Sequence, residues 1–307
     1  MSIISHKYIF LSISGILVLA SVFAIAVWGF RLGIDFTGGS LLEVEFLNKR
    51  PATDELRARL AAAVAGLGHA TIQPTGEKGV IFRFRHVDEE EHQKIIASLG
   101  AGGSKADSEA GDIAIKRFDT IGPTIGNELK QRAFFALAAA IIAIILYISW
   151  AFRLVSKPVS SWKYGTVAVF ALIHDIAIPA GIFSVLGKFA NQEIDALFIT
   201  ALLTVMGFSV HDTIVVFDRI RENLRRSRAG ETYEDIVSRS VNETIARSIN
   251  TSLTTLLALS AIFIFGGAST KGLALALMIG IVAGTYSSIC VASPLVVIWN
   301  QWKTPKT

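Results

Sequence analysis

The sequence predicts an α-helical polytopic membrane protein with six transmembrane helices and one α+β, ferredoxin-like (βαββαβ) domain between helices 1 and 2. Three observations carry this expectation. Hydrophobic residues make up 52% of the chain and mean hydropathy is +0.53, more apolar than a soluble domain. Six stretches reach the roughly 20 mostly apolar residues that a helix needs to cross the hydrocarbon. Between the first two stretches, the hydrophobic pattern switches between strand and helix periods.

The spans are expected at 8–28, 133–152, 164–186, 196–217, 245–265 and 272–298. The first is longer than a signal core of about 7–15 residues and lacks a small-x-small cleavage site, so it is expected to stay as an anchor. Lys and Arg set the orientation. Lys7, Arg153, Lys157, Lys163, Arg219, Arg221, Arg225, Arg226, Arg228, Arg239, Lys303 and Lys306 fall on one side, against Lys188 and Lys271 in short loops on the other. Both termini are therefore expected in the cytoplasm, with the insert facing outward. The net charge of +4 reads as this topology signal and not as nucleic-acid binding. For the Arg-rich segment, contact with anionic headgroups is the simplest role, with a cytoplasmic partner as the other. The expected divisions are 1–28, the outward domain 29–131, the remaining spans within 132–298 with a basic loop at 218–244, and a tail at 299–307. Cys290 is the single cysteine, which rules out an intramolecular disulfide.

Within the insert, 40–47 alternates Leu42, Val44 and Phe46 against Glu43 and Glu45, the pattern of a half-buried strand. A helix follows at 53–67, with Thr53 as its expected cap and Asp54 and Glu55 in its first turn, where the helix dipole favours anions. Strands at 70–73 and 80–86 are joined by a turn through Pro74, Gly76 and Gly79. A helix at 88–99 and a strand at 112–118 complete the βαββαβ order. The Gly- and Ser-rich stretch 100–111 reads as a loop. His69, His86 and His92 are scattered, and no metal is expected.

The joints to the membrane are distinctive. Gly33-Ile-Asp-Phe-Thr-Gly-Gly-Ser40 follows span one, and Ile121-Gly-Pro-Thr-Ile-Gly-Asn-Glu128 precedes span two. Asp35, Gly38, Gly39, Gly122 and Pro123 are the hinge candidates, because glycine permits positive φ or close approach and Gly-Pro breaks the preceding strand. Two tight turns are the plainer alternative.

A carboxylate at membrane depth costs several kcal/mol unless paired, hydrated or protonated, so the default reading of Asp212 in span four is an ion or proton pathway. Asp212 lies six residues before Asp218, about 9 Å inward from the cytoplasmic end at 1.5 Å per residue. Arg247 in span five is expected at similar depth and as its partner, each lowering the other's burial cost. A static ion pair is the alternative. Asp175 in span three is a second, lower-ranked site. The His174-Asp175 and His211-Asp212 pairs also admit a metal hydrolase or a paired-aspartate protease. The further ligands a metal centre needs are not placed at membrane depth, however, and no enzyme is expected. Thr251, Ser252, Thr254, Thr255, Thr285, Ser287 and Ser288 could carry a water chain or bond between helices. Gly280 and Gly284 form a small-residue face.

Together, the Gly33–Ser40 segment, Leu172-Ile-His-Asp175, Asp212-Thr-Ile-Val-Val-Phe-Asp-Arg-Ile-Arg-Glu-Asn223 and Asn242-Glu-Thr-Ile-Ala-Arg-Ser248 resemble the signature segments of the SecF family. SecF proteins are accessory subunits of the bacterial Sec protein translocase, in the resistance-nodulation-division superfamily. The resemblance implies pairing with SecD in a twelve-span inner-membrane assembly that joins the SecY, SecE and SecG channel and YajC. It also implies an unfolded exported polypeptide as substrate, proton-motive-force coupling of late export steps, no cofactor, and a periplasmic position for 29–131. The family's membrane Asp and Arg fall on Asp212 and Arg247. His211 departs from the Asn that relatives often carry. A small-molecule or lipid transporter half of the same superfamily, and a passive channel scaffold, are the alternative functions.

Overall fold

The computed structural model describes residues 3–100, 113–151, 161–227 and 230–301, with the side chains of 161, 268 and 269 outside the description. The chain forms two compact units, Met1–Arg31 with Phe135–Thr307, and Leu32–Phe134. In chain order the elements are α1 (Lys7–Trp28), α2 (Ile34–Thr37), β1 (Gly39–Phe46), α3 (Thr53–Ala63), β2 (Thr71–Thr75), β3 (Gly79–Phe84), α4 (Glu89–Gly100), β4 (Ile113–Ile121), α5 (Pro123–Ala151), α6 (Ser161–Phe189), α7 (Ala196–Arg225), α8 (Tyr233–Phe265), α9 (Ala268–Ser287), a π-helical turn (Ser288–Ala292) and α10 (Ser293–Gln301).

Among the described residues, six helical stretches are long and apolar enough to cross a membrane: Ile4–Trp28, Pro123–Ala151, Trp162–Phe189, Ala196–Arg225, Tyr233–Phe265 and Thr270–Gln301. Small residues let these helices approach closely. A Cβ added to Gly181 of α6 would lie 2.3 Å from the Ser21 Cβ of α1. Ser184, one turn further along α6, has the carbonyls of Ala24 (3.0 Å) and Gly29 (2.6 Å) as acceptors for its hydroxyl, tying α6 to the end of α1. On α9, Gly280 meets Val205 and Gly284 meets Ser209, so the expected small-residue face is the contact with α7.

Two membrane expectations need correction. The basic segment 218–244 is mostly helix, because α7 continues to Arg225 and α8 starts at Tyr233. A reciprocal cap explains the early start of α8: the Thr232 hydroxyl accepts from the Asp235 N–H, and the Asp235 carboxylate accepts from the Thr232 N–H. Several arginines of this segment are ion-paired, Arg219 to Glu222 and Glu243, Arg221 to Asp218, Arg226 to Glu222, and Arg239 to Glu231. Span two likewise begins earlier, since α5 starts at Pro123, a residue suited to a first helical position where no N–H is needed.

The unit Leu32–Phe134 holds a four-stranded antiparallel sheet in the order β2-β3-β1-β4. β3 pairs antiparallel with both β1 and β2, which therefore run parallel on either side of it, the split βαβ arrangement of the expected ferredoxin-like fold. The alternation of β1 turns Leu42, Val44 and Phe46 inward, where they join Val80, Phe82 and Phe84 of β3 and Leu56, Leu60, Ile95 and Leu99 of the two helices. Each such side chain, fully buried, stabilises by about 1.5–3 kcal/mol.

Thr53 and Pro74 of this unit sit differently from expectation. Thr53 is the first residue of α3 rather than its cap; Ala52 occupies the cap with extended backbone and offers no side-chain acceptor. Pro74 lies inside β2, tolerated because β2 is an edge strand and needs no outward N–H, so residues 76–78 alone make the turn. The stretch expected as a loop at 100–111 lies, from 101 on, outside the described residues.

Candidate functional site

The membrane carboxylates are held by hydroxyls. Asp212 is buried on α7, with 8% exposure. Its Oδ1 accepts from Ser248 of α8 at 2.6 Å and its Oδ2 from Ser288 of the π-helical turn at 2.6 Å. Asp175 on α6 is fully buried. Its Oδ1 bonds to His174 Nδ1 at 2.8 Å, and its Oδ2 accepts from Ser287 at 2.7 Å and from Ser209 of α7. A buried carboxylate surrounded by neutral donors can exist charged or protonated with little rearrangement, since each hydroxyl donates to the anion and can accept from the acid.

The local sequence explains this convergence. Ser240, Thr244, Ser248 and Ser252 recur every four residues on α8 and are all buried, a small polar stripe on one helix face. Ser209 stands three residues before Asp212, on the same side of α7. Ser287 and Ser288 are adjacent, where α9 gives way to the π-helical turn. That turn carries one residue more than an α turn. Ser293 steadies it by donating to the Ser288 carbonyl at 3.0 Å.

The expected Asp212–Arg247 pair is not formed. Ser248 is the α8 residue that reaches Asp212, and Arg247, about 100° round the helix, is exposed. Among the described residues Arg247 makes no ion pair. His211 is exposed, whereas His174 is buried, with its Nε2 unpartnered and its ring stacked 6.2 Å from Tyr286. Of the expected hydroxyls, Ser287 and Ser288 reach the carboxylates, and Ser252 bonds Thr285. Thr254 and Thr255 turn back on the Thr251 carbonyl of their own helix. Ser209 and Ser248 were not anticipated from the sequence; the four-residue stripe on α8 is the signal that would have found Ser248.

Towards the ends of α7 and α8 a polar clamp fixes their spacing. Arg219 donates to Glu243 at 2.6 Å, and Asn223 donates to Ser240 at 3.0 Å and to Glu243 at 2.8 Å. At the start of α1, the buried Lys7 pairs with Glu234 at 2.8 Å, which also accepts from Gln301 at 2.9 Å. The starts of α1 and α8 and the end of α10 therefore meet at one end of the helical unit.

In the unit Leu32–Phe134 the two glycine joints meet. Gly38 (φ 73°) and Gly39 (φ 123°) adopt backbone that favours glycine. A Cβ on Gly38 would lie 2.8 Å from Pro123 Cα, one on Gly39 2.7 Å from the Phe84 carbonyl oxygen, and one on Gly126 2.8 Å from Gly38 N. Gly126, rather than the expected Gly122, makes the close approach: a Cβ on Gly122 meets nothing within 4 Å. Asp35 sits half-buried in the first turn of α2.

Residues 103–302 match the family model described as protein export membrane protein SecD/SecF, C-terminal, and residues 23–46 match the SecD/SecF GG motif. A protein translocase subunit SecF from Thermobaculum terrenum is 42% identical, covering 97% of this chain and 94% of the relative. Those from Synechocystis and Vibrio alginolyticus are 39% and 40% identical, covering 96% and 91% of this chain and 92% and 83% of the relatives. The crystal structure of SecDF from Thermus thermophilus, a translocon-associated membrane protein, superposes with a TM-score of 0.82 at 32% identity over 98% of this chain. A SecDF structure in the super-membrane-facing form gives 0.67 at 32% identity over 99%. The chain spans 39% of the length of each SecDF chain.

Proposed function

The chain belongs to the SecD/SecF family of protein export membrane proteins, and from that premise we propose that it couples the proton-motive force to late steps of protein export. It is a multi-pass membrane protein, and its likeness to the SecDF chains supports association with a SecD partner. The proposal adds attachment to the SecY, SecE and SecG channel and YajC, with an unfolded exported polypeptide as substrate.

The observation that carries the reading is Asp212, buried between α7, α8 and the π-helical turn and held by two hydroxyls. A proton moving through 100 mV is worth about 2.3 kcal/mol, so roughly 180 mV offers about 4 kcal/mol. That biases a two-state movement about a thousandfold. In the proposed cycle Asp212 takes a proton from outside, exchanges its hydrogen bonds with Ser248 and Ser288, and changes the contact of α7 with α8. Asp175 serves as a second protonation site. The movement reaches the outward domain through the paired joints at Gly38, Gly39 and Pro123.

Arg247 enters through the partner. An arginine on the outer face of a membrane helix is costly in lipid, so in the proposed assembly SecD supplies an acidic or polar group opposite it. Orientation follows the charge. Lys and Arg are in excess in the segments at both termini and between spans two and three and spans four and five, which the positive-inside rule assigns to the cytoplasm, and the proposal accordingly assigns 29–131 to the periplasm.

Precursor export into inverted membrane vesicles carrying the chain with SecD tests this reading. Asp212→Asn should assemble normally and lose the gradient-dependent part of export while keeping the gradient-independent part. If export matches wild type with and without the gradient, Asp212 is structural and the chain acts as a scaffold.

A further inference from the structure

The adjacent serines of span six touch different carboxylates: Ser287 donates to Asp175 and Ser288 to Asp212. Each has a second acceptor within reach, the carbonyl three residues back. Ser287 lies 3.1 Å from the Gly284 oxygen, and Ser288 lies 3.0 Å from the Thr285 oxygen. A serine hydroxyl carries one proton, so it can favour the carboxylate or the carbonyl. With the carboxylate ionised, the serine donates to it. With the carboxylate protonated, the acid proton is donated to the serine oxygen and the serine proton turns to the backbone. No covalent bond to carbon changes, and each proton keeps a donor and an acceptor.

We propose that Ser287 and Ser288 make the two buried carboxylates one coupled unit, with the π-helical turn of span six responding to the protonation of both. This deepens the proton-coupled reading and rests on it. The carbonyls in question belong to the helix itself. The Gly284 carbonyl accepts the Ser288 N–H, and the next one, Thr285, stands where α turns give way to π turns. A hydroxyl that moves onto these oxygens competes with backbone N–H groups for them, as serine back-bonding does when it bends helices. Protonation of Asp175 and of Asp212 therefore acts on successive residues of one turn, whose geometry Ser293 fixes from the other side.

Within three residues along the chain of Asp175, Ser209, Asp212, Ser248, Ser287 and Ser288, the other titratable or charged groups are His174 on α6, bonded to Asp175; His211 on α7, exposed; Tyr286 on α9; Cys290 in the π-helical turn; and Arg247 on α8, exposed. Of these, His174 alone bonds directly to one of the carboxylates; Ser209 touches Asp175 but lies three residues from Asp212 on α7, whereas Ser287 and Ser288 contact the two carboxylates from adjacent residues.

Infrared difference spectroscopy of the chain with SecD in lipid nanodiscs tests the coupling, with the Asp212 carboxyl band identified by its loss in Asp212→Asn. Replacing Asp175 by Asn should displace the pH profile of the Asp212 band by about one pH unit, the scale at which two sites titrate as a pair. In the Ser287→Ala/Ser288→Ala background the same replacement should have no effect, and Ser287→Thr/Ser288→Thr, which keeps both hydroxyls, should restore it. A displacement that persists undiminished without the serines would mean direct charge repulsion and would overturn the proposal. An Asp212 band that titrates but ignores Asp175→Asn also overturns it while leaving Asp212 as a proton site. An Asp212 band that never titrates removes both this inference and the proton-coupled reading.

Discussion

Ser248 of α8 donates a 2.6 Å hydrogen bond to Asp212 of α7, in the place where an arginine would be the obvious counter-charge. The difference matters for mechanism. A buried Asp–Arg pair tends to hold the carboxylate charged, whereas a hydroxyl serves either protonation state. Ser248→Ala should therefore weaken, without abolishing, gradient-dependent export, because Ser288 still holds the second oxygen. A single lost hydrogen bond to a charged group is worth about 1.5–3 kcal/mol. Vesicle export with and without a gradient reads the effect.

Arg247 gives the complementary prediction. It is exposed on α8, so Arg247→Met should change the stability of the isolated chain by no more than about 0.5 kcal/mol. Gradient-dependent export in the SecD complex should nonetheless fall. Thermal melts in detergent, alongside the export assay, separate the two, and full export by the variant would remove Arg247 from the account.

Glycine substitutions in the helices should sort by the space around them. Gly280→Ala drives a Cβ to within 2.3 Å of Val205 and should destabilise by about 1–3 kcal/mol. Gly207→Ala meets nothing within 4 Å and, in a helix, should be neutral or slightly stabilising. Melting midpoints of the two variants, measured in one detergent, check the contrast.

The joints behave likewise. Gly39→Ala places a side chain against the Phe84 carbonyl at a φ of 123° and should leave the unit Leu32–Phe134 sensitive to protease, while Gly122→Ala should resist as wild type does. The same geometry makes Gly39→Pro a test of folding rather than of hinge motion.

Outside the membrane, pH acts through Glu91. Both terminal guanidinium nitrogens of Arg85 donate to it, at 2.9 and 2.5 Å, and this hydrogen bonding, against a smaller opposing desolvation, holds its carboxyl below the ordinary value. A carboxylate lowered in the folded state contributes stability that is present above its unfolded value, about 4.3, and lost as pH falls through the folded one. Hydrogen-exchange protection at the start of α4, corrected for the intrinsic rate at each pH, should therefore hold from neutral pH down to about 4.3 and fall below it. Glu91→Gln should remove that dependence.

Legibility in the sequence followed the range of the interaction. The spans could be read because each is a long apolar run, and β1 because Leu42, Val44 and Phe46 alternate with charges. The Asp212 and Asp175 positions could be read because a carboxylate in such a run is conspicuous. Which hydroxyl meets which carboxylate could not: that depends on helix rotation, and one residue of error turns Ser248 into Arg247, 100° away. The helical extensions through 218–244 were hidden by polarity, although Thr232 and Asp235 stand at capping-box spacing. Gly126 went unnoticed because its role exists only where a second segment passes close by.

Whether Asp212 carries protons is decided by proton flux across proteoliposomes containing the chain and SecD, comparing wild type, Asp212→Asn and Asp212→Glu. Wild type should show gradient-driven flux, Asp212→Asn none, and Asp212→Glu partial recovery, since Glu restores a titrating group at a shifted position. Flux through Asp212→Asn equal to wild type would contradict a proton-carrying role for Asp212.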